Sequence, residues 1–295
     1  MRSIVEGMNE PLLICCDMDR TLLPNGEQPE SPLARPLFAR MAARPGVQLG
    51  YVTGRHLALA LDAIRRYRVP LPDYLVCDVG TSIYSLQGEQ WQLWEEWSEH
   101  LAEDWRGSEQ ADLAELFADL RELTLQEPVC QARFKLSYYA AAEVEPQTLL
   151  RRMRERLTEH AIRAELIWSV DETTGTGLLD LIPLGGSKRH AVEYLMVYSG
   201  AGYERTLFAG DSGNDLPVLI SPIQSVLVAN ATETVRSEAL RRAAEAGNLE
   251  ALYTARGGYL GMNGNYSAGI LEGASRRYPE LRSWLEATEE GRCDR

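Results

Sequence analysis

Apolar runs followed by polar loops recur along the chain. Leu12 to Cys16 is five apolar residues without helical spacing, which reads as a buried strand. It ends in Asp17-Met18-Asp19-Arg20-Thr21. Val47 to Val52 leads into Thr53-Gly54-Arg55, and Leu178 to Ile182 leads into Pro183-Leu184-Gly185-Gly186-Ser187-Lys188. Thr206 to Ala209 leads into Gly210-Asp211-Ser212-Gly213-Asn214-Asp215. Core strands are expected to end near Cys16, Val52, Cys77, Ala209 and Ala229. Between them, 56–67 carries Leu57, Ala60, Leu61 and Ile64 on one stripe, and 188–198 carries Ala191, Val192, Leu195 and Met196. Alternating strands and helices predict an α/β fold: a Rossmann-like parallel sheet with helices on both faces.

The middle of the chain has another rhythm. Leu113, Leu116, Phe117, Leu120 and Leu123 fit one helix face, and Leu149, Leu150, Met153 and Leu157 another. From Arg133 to Tyr138 the pattern alternates, with Phe134, Leu136 and Tyr138 on one side and Arg133, Lys135 and Ser137 on the other. A second alternating strand is expected from Ile162 to Ser169. By the same parity Asp180, between Leu179 and Leu181, shares the polar face with Lys135 and Ser137. These features predict an inserted α+β domain at about 87–182, between core pieces at 1–86 and 183–295. The polar face would suit sugar hydroxyls, which need closely placed donors and acceptors; an ordinary solvated face is the alternative. Trp94, Trp97, Leu101 and Trp105 have helical spacing and are expected to form a buried stripe, a partner-binding face being the other reading.

Two carboxylates one residue apart, where a strand ends, are costly unless a cation neutralises them. The pair Asp17 and Asp19 suits a carboxylate nucleophile, a second carboxylate for proton transfer, and a divalent metal between them and a phosphate. For an isolated match, a solvated acidic turn is the alternative. Here a hydroxyl (Thr53), a lysine (Lys188) and a second acidic cluster (Asp211, Asp215) follow apolar runs in chain order. In an open parallel sheet, ligands bind just beyond the carboxyl ends of the strands. The four histidines are scattered and no His/Cys cluster has zinc spacing.

The 295 residues, 45% hydrophobic and 25% charged, are ordinary for a globular protein. A formal net charge of −13 argues against nucleic acid or an anionic membrane as partner. An anionic substrate would therefore need a locally electropositive site, supplied by metal, Lys188 and Arg55. Five cysteines without a framework point to a reducing compartment. Residues 1–7 lack the apolar stretch of a signal peptide and no run is long enough to cross a bilayer, so the expected location is cytoplasmic.

The chain resembles the haloacid dehalogenase superfamily of phosphatases, which carries the four motifs in this order. The spacing is similar to the branch with a large cap between the second and third motifs, and within it to the sucrose-phosphate phosphatases. The likeness rests on Asp78-Val79-Gly80-Thr81-Ser82-Ile83-Tyr84, Phe134-Lys135-Leu136-Ser137-Tyr138, Leu179-Asp180-Leu181-Ile182-Pro183 and Ala268-Gly269-Ile270-Leu271-Glu272. It extends from about Leu12 to Tyr278. Arg20 and Arg189 depart from it, since many relatives have Gly or Asn at the first position and Gly at the second.

The resemblance implies Asp17 as the nucleophile forming an aspartyl-phosphate, and Asp19 as the acid and base that also offers its backbone carbonyl to the metal. It implies Mg²⁺ as the ion, bound by Asp17 and Asp211, with Asp215 acting through water or orienting the shell and Asn214 holding neighbouring groups. Thr53 would hydrogen-bond a phosphoryl oxygen and Lys188 would neutralise charge on the transferring group. Gly54, Arg55, Gly80, Thr81, Lys135, Ser137 and Asp180 complete the phosphate- and substrate-binding candidates. The implied activity is Mg²⁺-dependent hydrolysis of a sugar phosphate, with sucrose 6-phosphate first and mannosylfructose phosphate or glucosylglycerol phosphate as rivals. A phosphomutase and a non-catalytic sugar-phosphate sensor are the remaining alternatives. A sugar-phosphate synthase is a candidate partner, and a monomer or weak dimer is expected.

Overall fold

The computed structural model describes residues 11–141, 143–170 and 175–293; residues 1–7, expected to carry no signal peptide, lie outside them. The chain begins β1 (Leu12–Cys16), α1 (Ala34–Ala42), β2 (Val47–Val52), α2 (Leu57–Tyr67), β3 (Tyr74–Cys77), β4 (Ser82–Gln87) and β5 (Gln90–Leu93). It continues with α3 (Glu95–Asp104), α4 (Gln110–Leu116), β6 (Leu123–Leu125), β7 (Leu136–Ala140), α5 (Pro146–Glu159), β8 (Ala164–Val170) and β9 (Gly177–Pro183). Then follow α6 (Lys188–Ser199), β10 (Thr206–Gly210), α7 (Leu216–Leu219), β11 (Gln224–Leu227), α8 (Glu233–Glu245), β12 (Leu252–Thr254), α9 (Ser267–Arg277) and α10 (Pro279–Cys293). Two compact units result. The first comprises Met1–Val52, Asp62–Tyr74 and Val192–Arg295; the second, Thr53–Leu61 and Leu75–Ala191.

In the first unit the strands run parallel in the order β12-β11-β10-β1-β2. Every residue of β1 is buried, as a strand covered on both faces requires. The register shows what covers it. Cys15 pairs with Phe208 and Gly50, and Cys16 with Ala209 and Tyr51, so the two rows face opposite ways. A Cβ on Gly50 would lie 3.7 Å from Leu195 of α6. Ala209 continues to Val226, and on that face α9 comes so close that a Cβ on Gly273 would lie 2.1 Å from Val226. Helix α9 packs in turn against α1 and α10. Strand β11 ends two residues before the expected Ala229, whose N–H instead bonds the Gly264 carbonyl.

The second unit holds the antiparallel pair β4–β5 and an antiparallel sheet in the order β6-β7-β9-β8. Helix α5 packs on β8 and α4 on β7, burying Leu113, Leu149, Leu150, Met153 and Leu157. The expected single helix through Leu123 is not formed. Helix α4 ends at Leu116, tight turns carry the chain through Phe117 and Leu120, and Leu123 opens β6. Arg156 of α5 bonds both the Leu116 carbonyl and the Asp119 carboxylate, fixing the turn where a helix would have continued. Trp97 and Leu101 of α3 and Trp105 at its C-cap form the expected buried stripe, with Trp94 the half-buried N-cap. Among the described residues no helix is long and apolar enough to cross a membrane.

Candidate active site

Three carboxylates of the first unit meet at the carboxyl ends of adjacent strands. Asp17 follows β1 and Asp211 and Asp215 follow β10, and one oxygen from each lies within 4.8 Å of the others. All three are buried, Asp215 completely. The Asp17 N–H bonds the Ala209 carbonyl at 2.9 Å, extending the β1–β10 ladder to the acid itself. Asp215 folds back over the end of its own strand: its Oδ2 accepts from the N–H groups of Asp211 (3.0 Å) and Ser212 (3.1 Å) and from the Ser212 hydroxyl. Only glycine at 210 permits this, since a Cβ there would lie 2.6 Å from Asp215 Cβ and Cγ. Asn214 Oδ1, 2.9 Å from the Ser212 hydroxyl, shares that hydroxyl's single proton with Asp215.

Thr21 donates to Asp211 Oδ1 at 2.9 Å, and Arg20 pairs with Asp211 Oδ2 at 3.5 Å. Arg20 thus faces a buried acid. Its φ of +59° is in the left-handed region, and its carbonyl accepts from Asn230 Nδ2 at 2.6 Å. Asn230 Oδ1 accepts from the N–H of Tyr266, itself buried at φ +52°. The Tyr266 hydroxyl donates to the Gln28 carbonyl at 3.0 Å. The loop beyond β1 is therefore tied at two points to residues 230–266. Within it Asn25 donates to Asp19 Oδ1 at 2.6 Å and accepts the Arg20 N–H at 2.8 Å.

The other motif loops belong to the second unit. The Thr53 N–H bonds the Val76 carbonyl, the Thr53 carbonyl accepts from Val79 and the Arg55 carbonyl from Asp78. The Thr53 hydroxyl accepts from the Arg55 N–H at 3.2 Å. Thr53 and Lys188 are buried, while Gly54 is exposed. Asp78, Val79 and Gly80 carry consecutive positive φ values of 52°, 65° and 121°. A β-branched residue in this region is an outlier, costing about 1–3 kcal/mol, which surrounding contacts must offset. The Thr81 hydroxyl bonds the Asp78 carbonyl and the Trp97 indole the Gly80 carbonyl. Gly80 also lies against the backbone of Gly186, Ser187 and Lys188.

Lys135, Ser137 and Asp180 meet as parity predicts, because Ser137 stands opposite Asp180 in the β7–β9 register. Ser137 donates to Asp180 Oδ1 at 2.6 Å, and Lys135 Nζ lies 2.7 Å from Ser137 Oγ, 2.7 Å from the Cys130 carbonyl and 3.4 Å from Asp180. Lys135 and Ser137 are buried, so this is not an ordinary solvated face.

Sequence reasoning passed over Asp78 as a charge. Burial pushes its carboxyl above the ordinary value, opposed by a hydrogen bond with Ser82 and by Lys135 and His56, while Asp180 raises it further. His56 Nε2 is buried without a hydrogen-bond partner. With Asp78 raised in the folded state, the folded chain holds the proton to higher pH than the unfolded one. Its contribution is fully present below the unfolded value and lost as pH rises through the folded one. Asp78→Asn is expected to flatten the fall in stability above about pH 4, measured by denaturant midpoints at stepped pH. An unchanged slope would show that Asp78 does not set it.

The parallel sheet with helices on both faces, and the buried acids beyond its strand ends, define a hydrolase of the haloacid dehalogenase type. A HAD-like hydrolase of Nitrosococcus oceani is 52% identical over 283 residues, covering 96% of this chain and 76% of that one. A glucosylglycerol-phosphate synthase of Pseudomonas anguilliseptica is 29% identical over 218 residues, 74% of this chain but 26% of that protein. The sucrose-phosphatase of Synechocystis sp. PCC6803, solved with sucrose and phosphate, superposes with a TM-score of 0.71 at 25% identity, over 92% of this chain and 98% of that one. The model of the sucrose-6F-phosphate phosphohydrolase family matches residues 10–276, and the chain belongs to that family. It is a sucrose-phosphatase-like phosphatase of sugar phosphates.

Proposed function

We propose that the chain hydrolyses sucrose 6-phosphate to sucrose and phosphate, with Mg²⁺ and an aspartyl-phosphate on Asp17. The observation that carries this reading is the buried trio Asp17, Asp211 and Asp215. Three acids so close are held apart from water at a cost that a bound cation removes. The set is all oxygen, which fits a hard divalent ion and excludes a thiolate or imidazole site. Asp17 and Asp211 would hold it, with the Asp19 carbonyl, and when bound it neutralises phosphoryl charge. Asp215, engaged by three donors on one oxygen, orients the Asp211 loop.

The Asp17 carboxylate attacks phosphorus, the bond from phosphorus to the sugar oxygen breaks, and Asp19 gives that oxygen its proton. Asp19 then takes a proton from water, whose oxygen attacks phosphorus and releases phosphate, restoring Asp17. Thr53 and Lys188 bind the phosphoryl oxygens, aided by Gly54, Arg55 and the Gly80–Thr81 loop; Asn214 steadies the Ser212 hydroxyl. In the domain at 87–182, Lys135, Ser137 and Asp180 recognise sugar hydroxyls. The likeness to a glucosylglycerol-phosphate synthase favours glucosylglycerol phosphate as the second reading.

Phosphate release is measured from sucrose 6-phosphate, mannosylfructose phosphate, glucosylglycerol phosphate, simple hexose phosphates and p-nitrophenyl phosphate. The highest kcat/KM is expected for sucrose 6-phosphate, with activity lost in EDTA and restored by Mg²⁺. Preference for another ester would sink the reading of the sugar site, and full activity in EDTA that of the acidic trio.

A further inference from the structure

The geometry points to Asn25 as the residue that positions the Asp19 carboxyl for proton transfer to the leaving sugar oxygen; this rests on the reading of Asp19 above. We infer it from the pairing of two hydrogen bonds. Asn25 Nδ2 donates to Asp19 Oδ1 at 2.6 Å, and Asn25 Oδ1 accepts from the Arg20 N–H at 2.8 Å. The second bond fixes which way the amide faces, because only its oxygen can accept from an N–H. The NH₂ group is thereby presented to Asp19.

A donor on Oδ1 suits both tasks assigned to Asp19. In a protonated carboxyl, Oδ1 is then the carbonyl oxygen and the proton sits on Oδ2, the atom that delivers it. In the carboxylate, Oδ1 keeps the same partner while Oδ2 receives the proton taken from water. The amide thus sets the rotation of the carboxyl about its Cβ–Cγ bond, the soft torsion of an aspartate, without itself exchanging a proton.

The frame around Asn25 is built for this. Its N–H bonds the Leu23 carbonyl, while the N–H groups of Leu22 and Leu23 both reach back to the Met18 carbonyl, closing a tight loop. Arg20, which supplies the orienting N–H, is held at φ +59° by Asn230. Gly26, next in sequence, lies where a Cβ would come within 2.9 Å of the Tyr266 hydroxyl, the second tie of the loop. Asn25 itself is exposed, so little core packing depends on it.

The test compares two leaving groups. A sugar alkoxide needs a proton to depart, whereas the phenolate of p-nitrophenyl phosphate leaves without one. The quantity is kcat/KM, which reports formation of the phosphoenzyme and is blind to its later hydrolysis. Asn25→Ala is expected to lower kcat/KM at least about tenfold further for the fastest sugar ester of the panel than for p-nitrophenyl phosphate, with the loss in kcat and KM little moved. Asn25→Ser, which keeps a short donor, is expected to recover part of the difference. Asp19→Asn is the benchmark and should show a larger bias of the same sign. Equal losses on both substrates in Asn25→Ala, with Asp19→Asn biased, would overturn the role of Asn25 alone. An unbiased Asp19→Asn would overturn the reading of Asp19 and the proposal with it.

Discussion

Asp17→Asn is expected to remove phosphate release by at least about four orders of magnitude while leaving the fold intact. The amide matches the carboxylate in shape but is a far poorer nucleophile towards phosphorus. The substitution leaves the Asp17 N–H free to keep its bond to the Ala209 carbonyl. The Asp17 charge is buried and shares a space of a few ångströms with the carboxylates of Asp211 and Asp215. Removing it relieves repulsion, so the unfolding midpoint without metal should stay level or rise. Phosphate release and a thermal melt on the same preparation check both halves. Residual activity within about a hundredfold of the parent would exclude Asp17 as nucleophile. Complementation of a deletion by Asp17→Asn would favour the sensor.

Gly80→Ala is expected to be the most damaging single-carbon addition in the second unit. The residue sits at φ +121°, which L side chains avoid, and the new Cβ would lie 2.5 Å from Ser187 C, 2.6 Å from Gly186 O and 2.7 Å from Lys188 N. These are backbone atoms, so no rotamer change can make room. Strain and overpacking together predict a loss of roughly 2–5 kcal/mol. The relief available is displacement of the Lys188 backbone; if Lys188 binds phosphate as proposed, misplacing it by about 1 Å costs on the order of a hundredfold in kcat/KM. Denaturant unfolding and phosphate release should both register the change. A variant with parent stability and activity would show that this loop yields more freely than its contacts imply.

The parts of the molecule legible in the sequence are those written in periodicity. The runs ending at Cys16 and Cys77 are unbroken apolar strands, as strands covered on both faces require, and the one ending at Val52 is broken only by the half-buried Gln48. Lys135, Ser137 and Asp180 converge because side chains alternate and the β7–β9 register sets Ser137 opposite Asp180. Periodicity misled at Leu120 and Leu123, which continue the helical spacing of α4 although the chain turns between them. The turn is held by Arg156, forty residues from Leu116, and no local pattern carries that. Asp78 was hidden for another reason. Its importance lies in three successive positive φ values, and aspartate and valine do not announce such a backbone as a run of glycines would. Asn25 reads as a turn residue in an exposed loop; only the facing of its amide, set by Arg20, separates it from one.

The ties on the loop after β1 also bear on when the chain can become active during synthesis. Arg20 is bonded by Asn230, 210 residues later, and Gln28 by Tyr266, 238 residues later. Strand β1 has its neighbour β10 only after Thr206. Contacts of such separation form late and carry a large loop-closure cost. A growing chain therefore holds Asp17 and Asp19 without the partners that shape them until residues 206–266 have been made. The earliest residues of the site are among the last to be set in place.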